Sequence, residues 1–143
     1  MSSRRRARQA ALQILFQVET SSITPEDAIR LYWGSLYQTN EELPKLDVDR
    51  EFADALALGY AGHQEEVDAQ IRSISEHWRL ERMPAVDRNI LRIGTYEILC
   101  TPETPLRVVL NEAVELAKRY GAEESPAFVN GVLDKIAALK GRQ

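Results

Sequence analysis

The strongest constraint on this chain lies in its C-terminal third, Val108–Lys140, which reads VVLNEAVELAKRYGAEESPAFVNGVLDKIAALK. Its apolar residues return every three or four positions, and one polar elbow, Gly121–Ser125, interrupts them. Such spacing places one apolar stripe along each of two helices. Both helices are punctuated at both ends. Thr104-Pro105 is expected to open the first, with threonine as the side-chain cap and proline at the first helical position, where a missing N–H leaves no bond unmade. Gly121 is expected to close it in the left-handed conformation. Ser125-Pro126 repeats the opening device and Gly141 the closing one.

The same period runs through the rest of the chain. Ala7, Ala11, Ile14, Leu15 and Val18 predict a first helix from about Arg4 to Glu19, with Ser3 as its cap. Thr24-Pro25-Glu26-Asp27 starts a second, carrying Ala28, Leu31, Tyr32 and Leu36 to about Gln38. Thr39–Val48 is polar and aperiodic, which predicts a surface loop. Phe52, Ala53, Leu56, Ala57 and Tyr60 give a third face, and Gly59 and Gly62 predict a break near Ala61. Val67, Ile71, Ile74 and Trp78 give a fourth. Beyond Pro84, a fifth helix over Val86–Cys100 buries Ile90, Leu91, Gly94 and Ile98. Glycine at a mid-helix core position is unfavourable by about 1 kcal/mol relative to alanine, so Gly94 is expected to admit a close neighbouring helix.

The other face of that helix holds Arg88, Arg92, Thr95, Tyr96 and Leu99, with Asp87 in the first turn. If exposed, this mixture has the composition of a protein interface. In the C-terminal hairpin, Val109, Leu110, Ala113, Leu116, Ala117 and Tyr120 face Val129, Val132, Leu133, Ile136 and Ala137, with Asn130 at the edge. Phe128 lies a quarter-turn from Val129, placed to fill a gap or to offer a ring beside the elbow. No segment alternates as a strand does. The expected fold is all-α, seven helices in a bundle.

Charge sharpens the functional reading. The chain has 18 basic and 22 acidic residues, a net charge of −4. Arg4, Arg5, Arg6 and Arg8 stand in the first ten residues without an acid, so 14 basic groups face 22 acidic ones in the remainder, a balance of −8. A basic end on an acidic body predicts a localised anion contact. The arginines also occupy the helix end where the macrodipole disfavours positive charge. A ligand or a solvated, frayed terminus would account for that placement.

Other chemistries find little support. No apolar run approaches the roughly 20 residues of a transmembrane helix, so no membrane association is expected. Gln9, Gln13 and Gln17 break the segment a signal peptide would need, and a cytoplasmic location is the expectation. Cys100 is the sole cysteine, which leaves no internal disulfide. With His63 and His77 it matches no metal spacing. GYAG and GHQEE lack the lysine and the preceding strand of a phosphate loop. Glu112, Glu115, Glu123 and Glu124 show no pairing for acid–base work. Neither an enzyme nor a cofactor is expected.

ILRIGTYEIL (Ile90–Leu99), followed by VVLNEAVELAKRYGAEESPAFVNGVLDKIA (Val108–Ala137), resembles the NusB transcription antitermination family. RRRARQAALQILF resembles that family's N-terminal helix. The likeness covers nearly the whole chain and is weakest over Glu19–Val48. It implies a single NusB-like RNA-binding domain over residues 1–143, made of two helical subdomains and without catalytic activity. It also implies binding of the boxA element of nascent single-stranded RNA, as a heterodimer with NusE, a small-subunit ribosomal protein. Together these would load an antitermination complex on RNA polymerase, notably during ribosomal RNA transcription.

Carried over by motif, the RNA surface comprises Arg4, Arg5, Arg6 and Arg8 with Glu124 and Phe128. Guanidiniums contact phosphates, and an aromatic ring stacks on unpaired bases. Asp87 aligns with a family acid on the NusE contact, and the face argument adds Arg92 and Tyr96. The elbow reads Glu-Ser-Pro-Ala where a Ser-His-Lys-like run is commoner, and Ile74 falls near a family tyrosine position. Both departures predict weaker RNA binding by the chain alone. Two rival readings remain. One is the NusB-like domain of ribosomal RNA cytosine methyltransferases, which would require truncation before the catalytic domain. The other is a homodimeric interaction module that masks its RNA surface.

Overall fold

The structure is a computed structural model that describes residues 2–36, 47–75 and 78–142. Among them are seven α-helices and no strand. They fall into two compact units, Met1–Ala61 and Gly62–Gln143.

In the first unit, α1 spans Ser3–Ser21. Ser2, not the expected Ser3, is its cap, its Oγ accepting the Arg5 amide N–H at 3.1 Å. Ala7, Ala11, Ile14 and Leu15 are buried as their spacing requires, and Ala10 and Leu12 join them. Pro25–Leu31 forms α2, where Thr24 Oγ1 accepts the Asp27 N–H at 3.1 Å and Pro25 occupies the first turn. The chain then widens into a π-helical turn, Tyr32–Leu36. Of the residues expected inside, Ala28 and Tyr32 are buried, whereas Leu31, on the last turn of α2, is exposed; Trp33 is buried in addition. The end of this segment at Gln38 and most of the Thr39–Val48 loop lie outside the described residues.

Arg50–Gly62 forms α3, capped by Asp49 Oδ1, which accepts the Phe52 N–H at 3.0 Å. Its core face is Ala53, Leu56, Ala57 and Tyr60. The helix continues past the break expected at Ala61, and the turn falls at His63.

The second unit holds α4 (Gln64–Ile74), a 3₁₀ turn (Leu80–Arg82), α5 (Ala85–Cys100), α6 (Leu106–Tyr120) and α7 (Ser125–Leu139). α4 ends at Ile74, so Trp78 is not on its core stripe; it sits in the following bend and is 41% exposed. α5 packs against α4, α6 and α7 and is the centre of the unit. That position overturns the expected exposed face. Thr95 is fully buried, and Arg88, Arg92, Tyr96 and Leu99 are half-buried. Gly94 does admit a neighbour: a Cβ there would lie 2.7 Å from Leu133 Cδ1 of α7.

The hairpin forms with altered caps. α6 starts at Leu106 after Pro105, and Thr104 makes no side-chain cap. Its carbonyl instead accepts from Arg142. Gly121 ends α6 in an extended conformation, φ −94° and ψ −172°, not the left-handed one. Its need is space, because a Cβ there would lie 2.7 Å from Ser125 Cβ and 2.8 Å from the Ala117 carbonyl oxygen. Ser125, expected as the cap of α7, lies inside the helix and its Oγ accepts the Ala122 N–H at 2.9 Å, bracing the elbow. Gly141 behaves as expected, at φ +65°.

Candidate nucleic-acid and partner interface

The basic cluster of the first unit is built on α1 and the start of α3. The lead-in to α3 is tied to the first turn of α1: the Asp49 N–H donates to the Ser3 carbonyl at 3.3 Å, and Arg6 Nη1 donates to the Asp47 carbonyl at 3.0 Å. The Phe52 ring then meets two guanidiniums. The Arg4 Cζ lies 4.4 Å from the ring centroid and the Arg8 Cζ 5.0 Å. A guanidinium over an aromatic face is favoured by the ring quadrupole by about 0.5–1 kcal/mol when exposed, and more when desolvated. Arg4 also approaches Asp49, Nε to Oδ2 at 3.9 Å, while its side chain stays 57% exposed.

These contacts give the basic turn partners within its own unit and divide the four arginines. Arg4 is exposed, Arg5 and Arg6 are half-buried, and Arg8 is 3% exposed. Arg8 therefore acts inward, on Phe52. Spacing alone could not find Phe52 as a support, because it had been grouped with the core face of α3.

Beside the elbow, Glu124 is exposed and precedes α7 without capping it through its side chain. The Phe128 N–H donates to the Glu124 carbonyl at 3.2 Å, so the two side chains stand one helical turn apart. Phe128 is half-buried, and its ring meets Trp78 with centroids 5.3 Å apart and planes at 45°. Trp78 was missed as a surface residue because it falls four positions after Ile74. Its polar surroundings in HWRLER were the signal against a core position.

The three partner candidates on α5 differ in availability. Asp87 is 4% exposed, and its Oδ1 has no hydrogen-bond partner among the described residues. A buried acceptor left unpaired is costly, by about 1–3 kcal/mol. Arg92 is engaged: Nε and Nη2 donate to Asp68 Oδ1 and Oδ2 at 3.1 and 3.2 Å, and Nη1 donates to Asn89 Oδ1 at 3.2 Å. Asp68, a buried acid on the core side of α4, is the counter-charge that made this placement of Arg92 possible. Tyr96 packs beside His63, with ring centroids 5.7 Å apart, and burial raises its hydroxyl above the ordinary tyrosine value. Among the described residues, no group of three or more His, Cys, Asp or Glu side chains is arranged to hold a metal ion. No helix among them is long and apolar enough to cross a membrane.

The family model described as the NusB family matches residues 5–138. The chain is 48% identical over 142 residues to the transcription antitermination protein NusB of Sorangium cellulosum (strain So ce56), covering 99% of this chain and 96% of that protein. Among solved structures it is similar to T. maritima NusB, with a TM-score of 0.78 and 37% identity over 96% of this chain and 92% of the other. A crystal structure of the antitermination factors NusB and NusE in complex with dsRNA matches with a TM-score of 0.77 and 27% identity, covering 94% of this chain and 96% of that one.

Proposed function

The chain belongs to the NusB family, and on that premise we propose that it is a transcription antitermination factor that binds boxA single-stranded RNA together with NusE. Its work is binding, not catalysis. It would act within an RNA polymerase antitermination complex, notably on ribosomal RNA operons. The observation that carries the RNA reading is the ordered basic turn of α1, where Arg4 is held on Phe52 yet remains exposed. Fixed guanidiniums lose less conformational freedom on meeting a phosphate than free ones. Arg5 and Arg6 extend this surface, Arg8 supports it from within, and Glu124 and Phe128 supply a second patch on the other unit.

For NusE, Asp87 is the favoured contact by its place in the family motif, and its Oδ1, buried and without a hydrogen-bond partner among the described residues, would have to be uncovered to accept a donor from NusE. Arg92 and Tyr96 belong to the same proposal, but Arg92→Ala would also strand the buried Asp68 and so needs a folding control.

The test is fluorescence anisotropy of a labelled boxA RNA titrated with the chain, with and without NusE. Tighter binding of boxA than of a scrambled strand, strengthened by NusE, is the expected result. Equal affinity for the scrambled strand in the presence of NusE would sink the proposal. A double-stranded arm separates single-strand recognition from duplex binding. Sedimentation of the isolated chain reads the homodimer alternative in the same samples.

A further inference from the structure

Trp78 has no evident structural reason to be where it is. It lies after the end of α4 and before the 3₁₀ turn, and it remains 41% exposed despite its size. Yet it is not loose. Its backbone N–H donates to the Ser75 carbonyl at 3.0 Å, and its ring rests against Phe128 of α7. An interplanar angle of 45° leaves the two rings only partly covering each other. Arg79 follows immediately and Arg82 lies one turn on, both exposed, while Glu124 stands one turn before Phe128.

Large fixed aromatics with basic neighbours form the kind of surface that binds unpaired nucleic acid: every base offers a π-face, and cations follow the backbone. An acceptor-only carboxylate beside them suits the N–H donors on a base edge. We propose that Trp78 and Phe128 form one two-ring platform on which an unpaired RNA base stacks, with Trp78 as a direct RNA-contacting residue. The proposal rests on the RNA-binding reading above and adds to it a residue and a mode of contact.

The chain has two tryptophans, and the other, Trp33, is 5% exposed with its Nε1–H donated to Asp54 Oδ1 at 2.8 Å. A Trp33→Phe variant of the full chain therefore leaves Trp78 as the sole indole reporter. Titrated with a boxA-like single-stranded RNA, it is expected to lose Trp78 emission in step with binding. Labelled-RNA anisotropy of the otherwise unmodified chain gives the second readout. Trp78→Leu, which keeps apolar bulk, is expected to weaken binding by about 5- to 150-fold, the range of one lost base stack. Trp78→Phe is expected to recover most of that loss, and both variants should keep the parent circular dichroism.

Unchanged emission at saturating RNA, or Trp78→Leu binding as tightly as the parent, would overturn the platform. If Trp78→Leu weakens NusE binding and spares RNA, the surface belongs to a protein partner and the proposal falls. Should Arg4/Arg5/Arg6→Ala still weaken RNA binding in those cases, the RNA reading stands without the platform. Failure of the parent chain to bind any single-stranded RNA would remove both.

Discussion

Single residues in this protein take their meaning from what surrounds them, as its helical glycines demonstrate. Gly94 and Gly131 both lie inside helices, where alanine is favoured by about 1 kcal/mol on propensity alone. A Cβ at Gly94 would meet the fully buried Leu133 at 2.7 Å, whereas one at Gly131 would meet nothing within 4 Å. Overpacking a filled core is unfavourable by roughly 1–3 kcal/mol. Gly131→Ala should therefore stabilise the protein by about 0.5–1 kcal/mol. Gly94→Ala should lower stability by about 1 kcal/mol once the propensity gain is set against overpacking. Urea denaturation of the pair checks this, and equal shifts of one sign would refute the close-packing role of Gly94. Burial likewise raises the Cys100 thiol above its ordinary value, which keeps it largely protonated near neutrality.

At the scale of elements, helix ends are secured by residues distant in sequence. The Gly141 N–H donates to the Ala138 carbonyl at 3.1 Å and the Arg142 N–H to the Ala137 carbonyl at 2.9 Å, the paired bonds of a Schellman turn. That turn aims Arg142 at the carboxyl end of α5. Nη1 donates to the carbonyls of Glu97 and Ile98 at 2.9 Å each, and Nη2 donates to Thr101 at 3.2 Å and to Thr104. A cation there meets the carbonyls of the last turn and the negative end of the helix dipole together. Arg142→Ala is expected to cost about 1–3 kcal/mol, with Arg142→Lys intermediate because one ammonium cannot reach so many acceptors. Thermal unfolding followed by circular dichroism reads the order, and a silent Arg142→Ala would dismiss the cap. At the other end of α5, Arg88 secures the 3₁₀ turn in the same way, its Nη1 donating to the carbonyls of Met83 and Leu80 at 2.7 and 3.1 Å.

Across the whole molecule, a short basic segment stands on an acidic chain, and only part of that segment faces outward. If Arg4, Arg5 and Arg6 each engage a phosphate, removing all three should reduce the salt slope of RNA binding by about 2, at roughly 0.7 per contact on a single strand. Arg8→Ala should leave that slope nearly unchanged and instead lower stability by about 1–3 kcal/mol, because a buried side chain leaves the Phe52 ring. Anisotropy titrations at several salt concentrations, paired with denaturant unfolding, separate the two effects. A slope that falls equally for both variants would return Arg8 to the RNA surface.

Helical period, capping residues and the absence of strand patterning determined the all-α class, the seven helices and nearly all of the core, since each is a property of nearby residues. The motifs of the hairpin and α1 likewise carried the family, because they lie in the sequence itself. Cap identity was less legible: Ser2 replaced Ser3, and Ser125 turned back to Ala122, as a choice among neighbouring hydroxyls depends on backbone geometry. Only tertiary packing decided which polar residues face outward. Helix-wheel counting assigned α5 one buried and one open side, but three helices surround it, so Arg92 finds Asp68 and Thr95 is enclosed. The same packing enclosed Arg8 against Phe52 and set Trp78 beside Phe128 on the surface. Periodicity reports which side of a helix is apolar; what covers the other side depends on residues far away in the chain.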